Sequence, residues 1–87
     1  LKADYHPNAF LTVIRNNRNG LLSRTKILRV LEKSSGTAIS ISKKTGLTYG
    51  VVNHHLRLLE AEGIVRRKGD RQFIWELTGL GQKRLAS

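Results

Sequence analysis

The sequence predicts a mainly α domain with a small β-hairpin (α+β), built as one unit of 87 residues. Three observations carry this reading. Apolar residues recur at helical spacing in successive short segments, and glycines separate the segments. After Gly63 the period changes to two, across residues 64–68 and 71–77. The chain has no repeats, low-complexity tracts or Pro/Ser-rich linkers, and its length suits a single small domain. At 39% hydrophobic residues it carries enough apolar material for a core and lacks the composition of a disordered chain.

Residues 8–16 read as a helix, with Phe10, Val13 and Ile14 at i, i+3 and i+4. His6 or Asn8 would cap it and Pro7 lies near its first turn, although residues 9–14 also have the composition of a strand. Residues 15–20 read as a loop. The next helix spans 23–35: Ser23 is a good N-cap, Leu22 and Ile27 have the spacing of a hydrophobic staple, and Ile27, Leu28, Val30 and Leu31 form its apolar face. Gly36 can close it in the left-handed conformation.

A helix of two turns follows over 38–45, capped by Thr37, stopped by Gly46 and facing inward with Ala38 and Ile41. Its serines and Ile39 are mediocre helix formers, so packing must hold it. Thr48 caps a longer helix over 48–62, where Val52, Leu56 and Leu59 make one apolar stripe and Gly63 is the stop. A short helix, a glycine-containing turn and a longer helix are the spacing of a helix-turn-helix. Residues 64–77 then form a hairpin about a two-residue turn, Gly69-Asp70, with Phe73, Trp75 and Leu77 alternating toward the helices. Thr78 caps a short final helix over 79–86.

Charge narrows the function. Sixteen Lys and Arg against six Asp and Glu leave a formal net charge of +10. Such an excess works against compactness, and a polyanionic partner is the usual reason to tolerate it. No apolar run reaches the roughly 18 residues that cross a bilayer, and residues 1–7 lack the apolar centre of a secretion signal. The absence of an initial Met points to a processed or excised chain. Without cysteine there is no disulfide, thiolate metal site or cysteine nucleophile, which fits a reducing compartment.

With Val52, Leu56 and Leu59 inward, a step of ~100° per residue turns Gly50, Asn53, His54 and Arg57 outward. One small residue permits close approach, and three side chains can hydrogen-bond base edges or phosphates. Thr48 and Tyr49 stand at the helix N-terminus, where exposed N–H groups favour a phosphate. An ordinary solvated face would be richer in Glu and Lys. Arg66, Arg67, Lys68 and Arg71 crowd the hairpin tip, beyond what edge protection needs, and suit a backbone contact. Lys43 and Lys44 are expected as phosphate neighbours.

Residues 37–41, Gly46-Leu47-Thr48, Val52-Asn53-His54-His55-Leu56-Arg57-Leu58-Leu59-Glu60 and Gly63-Ile64-Val65 together resemble the winged helix-turn-helix of ArsR- and MarR-like transcriptional regulators, archaeal or bacterial. Leu77-Thr78-Gly79-Leu80-Gly81 is similar to the strand-to-helix junction after the wing in those proteins, so the resemblance extends over residues 22–85. It implies a regulator of double-stranded DNA, usually a homodimer, whose third helix enters the major groove. An architectural DNA-coating protein and a winged-helix protein-interaction module are the alternatives on the same fold.

Adjacent His54 and His55 point about 100° apart on a helix and cannot readily share an ion, so no metal site is expected; His55 reads as a partly buried, hydrogen-bonded histidine. Ser40 or Ser42, His54 and Asp70 lack a nucleophile elbow or oxyanion motif, so no catalysis is expected; no cofactor is expected, and the sequence identifies no small-molecule effector. The apolar residues Phe10, Leu11, Val13 and Ile14, with Leu80 and Leu85, lie at the chain ends and suggest a homodimer interface; folding back onto the monomer core is the alternative. The expected location is the cytoplasm, on the nucleoid.

Overall fold

In the computed structural model, residues 5–11 and 16–79 are described. The elements run as a 3₁₀ turn (Pro7–Ala9), α1 (Arg18–Lys33), α2 (Ala38–Thr45), α3 (Tyr49–Ala61), β1 (Val65–Lys68) and β2 (Ile74–Leu77). Three helices and an antiparallel two-stranded wing make a winged helix.

The first long helix starts five residues before the expected Ser23. Asn17 is its N-cap, accepting from the Gly20 N–H at 2.7 Å. Residues 18–20, expected as loop, are thus its first turn. Gly20 sits there for space: a Cβ on it would lie 2.8 Å from Nη1 of Arg24, which is buried. At the other end Ser34, in extended conformation, is the C-cap. Gly36 is no left-handed stop. Its N–H and C=O pair with Trp75 at 3.1 and 2.8 Å, so the α1–α2 linker bridges to β2.

The helix-turn-helix is set by local caps. Thr37 Oγ1 accepts from the Ser40 N–H, and Gly46 closes α2 at φ 76°. Thr48 Oγ1 accepts from the Val51 N–H to open α3, and Gly63 follows its end at φ 76°.

The wing corrects the expected turn. Its register pairs Val65 with Leu77 and Lys68 with Ile74, so residues 69–73 form the connection and not Gly69-Asp70 alone. A two-residue turn would set Val65 opposite Ile74, turning Trp75 and Leu77 to the other face. Burial of Val65, Trp75 and Leu77 together selects the observed pairing. Gly69 supplies φ 99°, with the Gln72 carbonyl oxygen 2.8 Å from where a Cβ would be. Phe73, expected inward, is instead 39% exposed at the end of this connection.

The core joins Ile27, Leu28 and Leu31 of α1, Ala38 and Ile41 of α2, and Val52, Leu56 and Leu59 of α3 to Ile64, Val65, Trp75 and Leu77. Ala9 and Leu11 complete it from the N-terminal side. No helix continues from residue 8 through Leu11. Among the described residues of this stretch only the turn at Pro7–Ala9 forms, capped by Nδ1 of His6, and Phe10 is already extended. Side chains take the backbone groups that a helix would have used. Asn16 accepts from the Leu11 N–H and donates to its carbonyl, and Arg24 Nε donates to the Ala9 carbonyl at 2.6 Å. Leu11 is therefore a core residue of the monomer, not free for a partner, whereas Phe10 is 46% exposed. Val13, Ile14, Leu80, Leu85 and all of the expected final helix beyond Gly79 lie outside the described residues.

Candidate nucleic-acid interface

Thr48, Tyr49, Gly50, His54 and Arg57 are exposed along α3, and Asn53 is half-buried among them. They divide between two flanks. Tyr49, Asn53 and Arg57 face the wing across a groove of about 280 Å³ whose other bank is Arg71, Gln72 and Phe73, with Trp75 at its base. His54 faces the start of α1, beside a hollow it shares with Asn17, Asn19, Ser23 and the exposed Val51. Lys43 and Lys44 are exposed on α2 and flank a further hollow with Thr37, Ile39 and Gln72. Thr37, Ile39 and Gln72 also line the wing groove, so the two hollows adjoin. Gln72, Ile39 and Phe73 give no sign of this role in the sequence, because a five-residue wing connection, which no turn dipeptide signals, is what places Gln72 and Phe73.

The cations of the wing are not equivalent. Arg66 and Lys68 both pair with Glu76, at 2.8 and 2.9 Å. Those bonds hold the Glu76 carboxyl below the usual range, Lys68 contributing first and Arg66 second. Arg67 pairs with Glu60 on α3 at 3.1 Å and lies 4.7 Å above the Phe73 ring. These contacts brace the hairpin against α3 and against itself. Arg71 makes no ion pair among the described residues and lines the groove. It is the wing cation best placed for an external anion.

Behind this face, His55 is buried and its Nδ1 faces Arg24 Nη1 at 3.3 Å. Burial above all, then the charges of Arg24 and His54, push His55 down to about 4, so it is neutral and accepts from Arg24. The His54 and His55 rings meet edge-on with centroids 5.0 Å apart. No group of three His, Cys, Asp or Glu side chains comes together for a metal among the described residues.

A bridged α1–α2 linker, capped α2 and α3, and a wing braced to α3 describe a known arrangement. The bacterial regulatory-protein ArsR family matches residues 23–67, just over half of the chain. The chain belongs to the bacterial ArsR family. The match runs from α1 to Arg67 and ends before Arg71, Phe73 and Trp75, so this ArsR-family chain completes its groove with residues beyond the matched segment. No curated protein matches it by sequence.

Solved structures agree on the fold. The homodimeric winged helix-turn-helix DNA-binding domain Mb0332 from Mycobacterium bovis is 18% identical with a TM-score of 0.65, over 85% of this chain and 82% of that one. A possible transcriptional regulator for arsenical resistance is 22% identical with a TM-score of 0.64, over 74% and 68%. The Zalpha domain of PKZ from Carassius auratus, solved in complex with Z-DNA, is 29% identical with a TM-score of 0.60, over 66% and 92%.

Proposed function

We propose that this ArsR-family protein is a sequence-specific regulator of transcription that binds double-stranded DNA without catalysis. The observation that carries the reading is the groove itself. Tyr49, Asn53 and Arg57 of α3 share it with Arg71, which is free of any carboxylate, and no Asp or Glu lines it among the described residues. A net charge of +10 captures the duplex. Gly50, Asn53, His54 and Arg57 then read base edges in the major groove, Thr48, Tyr49, Lys43 and Lys44 contact phosphates, and the wing clamps the flanking backbone. Such a protein works in the cytoplasm on the nucleoid. No helix of the described residues is long and apolar enough to cross a membrane.

Two copies bound on a two-fold axis would place their recognition helices about 34 Å apart, in successive major grooves. Phe10, exposed and set edge-on against Tyr5, with Val13, Ile14, Leu80 and Leu85, is the proposed contact region. The homodimeric state of the M. bovis domain supports this arrangement. Sedimentation at micromolar concentration, free and with DNA, tests it; one monomer per site removes the dimer.

A second reading is duplex coating by shape and charge. It is favoured by the likeness to a Zalpha domain solved with Z-DNA. Selection from random duplexes, followed by competition of the winner against bulk DNA at fixed salt, separates the two. No enrichment would leave shape-selective coating, and inversion of the circular dichroism of an alternating dC–dG duplex would identify the left-handed form as its target.

A further inference from the structure

Duplex recognition leaves part of the wing groove unused. Phe73 is 39% exposed and Tyr49 is 54% exposed, and both rings line the groove. The Arg67 guanidinium lies 4.7 Å above the Phe73 ring but does not itself line the hollow, so one face carries a cation and the ring still borders the groove. A paired, stacked duplex hides the faces of its bases and offers nothing for these rings to stack on. The amides of Asn53 and Gln72 line the same groove, each able to donate and accept toward a base edge. Arg57 and Arg71 supply charge in the groove, and Lys43 and Lys44 continue it in the adjoining hollow. No Asp or Glu lines either hollow among the described residues. The groove holds about 280 Å³, just under the range of drug-sized ligand pockets.

Aromatic faces, edge-reading amides and flanking cations are together what an unstacked nucleotide requires. We infer that the groove between α3 and the wing takes an unpaired nucleotide of a nucleic-acid strand, its base stacked on Phe73 and bounded by Tyr49. Its phosphates lie on Arg57 and Arg71, and the strand continues toward Lys43 and Lys44. Trp75 is only 2% exposed and serves as floor, leaving Phe73 as the platform. The inference rests on the reading of this face as a nucleic-acid interface, and adds an occupant that duplex regulation does not need.

The test is fluorescence anisotropy of the whole chain with three labelled probes: oligothymidylate, a fully paired duplex, and that duplex with one unpaired thymine. Phe73→Leu keeps an apolar side chain and removes the stacking face. It should weaken oligothymidylate binding about 5- to 150-fold, the range for loss of one base–aromatic stack, and leave the paired duplex within about twofold. Tyr49→Leu, at an exposed position, should also weaken oligothymidylate binding, with an added loss on the paired duplex, where Tyr49 is a proposed phosphate contact. The probes separate the sources of the base. If Phe73→Leu weakens both oligothymidylate and the thymine-bearing duplex, the groove takes free strands; if it weakens only the latter, the groove takes a base looped out of paired DNA. An unchanged affinity of Phe73→Leu for both overturns the inference, as does an equal loss on the paired duplex, which would make Phe73 a wing support. Wild-type binding to the paired duplex alone overturns it too and leaves the regulator reading standing; failure on all three probes removes both.

Discussion

The guanidinium of Arg24, on α1, donates to the buried imidazole of His55, on α3, at an Nη1–Nδ1 distance of 3.3 Å. Its other partners are the Ala9 carbonyl and Asn16 Oδ1, so each partner shown among the described residues is uncharged. Burial also lowers the Arg24 pKa from its ordinary value. One side chain thus ties the N-terminal segment to α1 and to the back of the recognition helix, and the tie depends on a neutral histidine.

Acid should therefore loosen the fold. The His55 pKa falls from 6.5 in the unfolded chain to about 4 in the folded one, so the unfolded state binds the extra proton first. Stability is complete above pH 6.5 and is lost as pH falls from there toward 4, by up to about 3 kcal/mol. His6 is also lowered, mainly by burial despite its bond to Glu32, and works in the same direction. Urea unfolding at several pH values between about 7 and 5 measures the slope. His55→Gln should flatten it, and an unchanged slope would mean that another group titrates.

Two glycines in helices should respond to alanine with opposite signs. At Gly50 on α3, nothing lies within 4 Å of where a methyl would sit, so Gly50→Ala should stabilise the fold by about 0.5–1 kcal/mol through helix propensity. It should nonetheless weaken DNA binding, because in the proposed docking that face enters the major groove of the duplex. At Gly20 the methyl would meet Nη1 of Arg24 at 2.8 Å and Oδ1 of Asn17 at 3.2 Å. A guanidinium end usually yields, but this one is held by Ala9, Asn16 and His55, and strained hydrogen bonds to a charge outweigh the propensity gain. Gly20→Ala should lower stability by about 1 kcal/mol; thermal unfolding of both variants gives the signs.

How far the sequence was legible follows from where the deciding forces act. The spans of α2 and α3 could be read because Thr37, Gly46, Thr48 and Gly63 are local signals next to the residues they cap. The outward face of α3 followed from helical periodicity. The start of α1 was hidden because Ser23 is a good cap that goes unused, while Asn17 wins through Gly20 and the distant Arg24. Leu11 looked free because the clasp that buries it comes from Asn16 and from the neighbouring core. The wing connection was hidden since register is set by burial of Trp75 against the helices, which no turn dipeptide reports. Composition counted the wing cations correctly but could not show that Glu60 and Glu76 occupy most of them.

On α3, Arg57 stands beside Asn53 in the groove and makes no ion pair among the described residues. Arg57→Ala should cost about 1–3 kcal/mol on a selected site and relax preference at one or two positions. Titration against the selected duplex and against random DNA decides its role. An equal loss on both would reduce Arg57 to a phosphate contact and favour the coating reading.

The wing gives the sharpest contrast, since Lys68 and Arg71 carry the same charge and differ in what holds them. Lys68 Nζ is 2.9 Å from Glu76, and that carboxylate also holds Arg66. A phosphate would have to compete with this pairing, and removing Lys68 leaves Glu76 still paired. Arg71 has no competing carboxylate among the described residues and already borders the groove. Measured by the dependence of binding on salt, Arg71→Ala should lower the slope of log K against log salt by about 0.9, the release expected for one phosphate contact. Lys68→Ala should lower it by clearly less. Equal changes would mean that the Glu76 pairing opens on DNA, and no change for Arg71→Ala would leave the wing as a brace for α3 without a phosphate contact of its own.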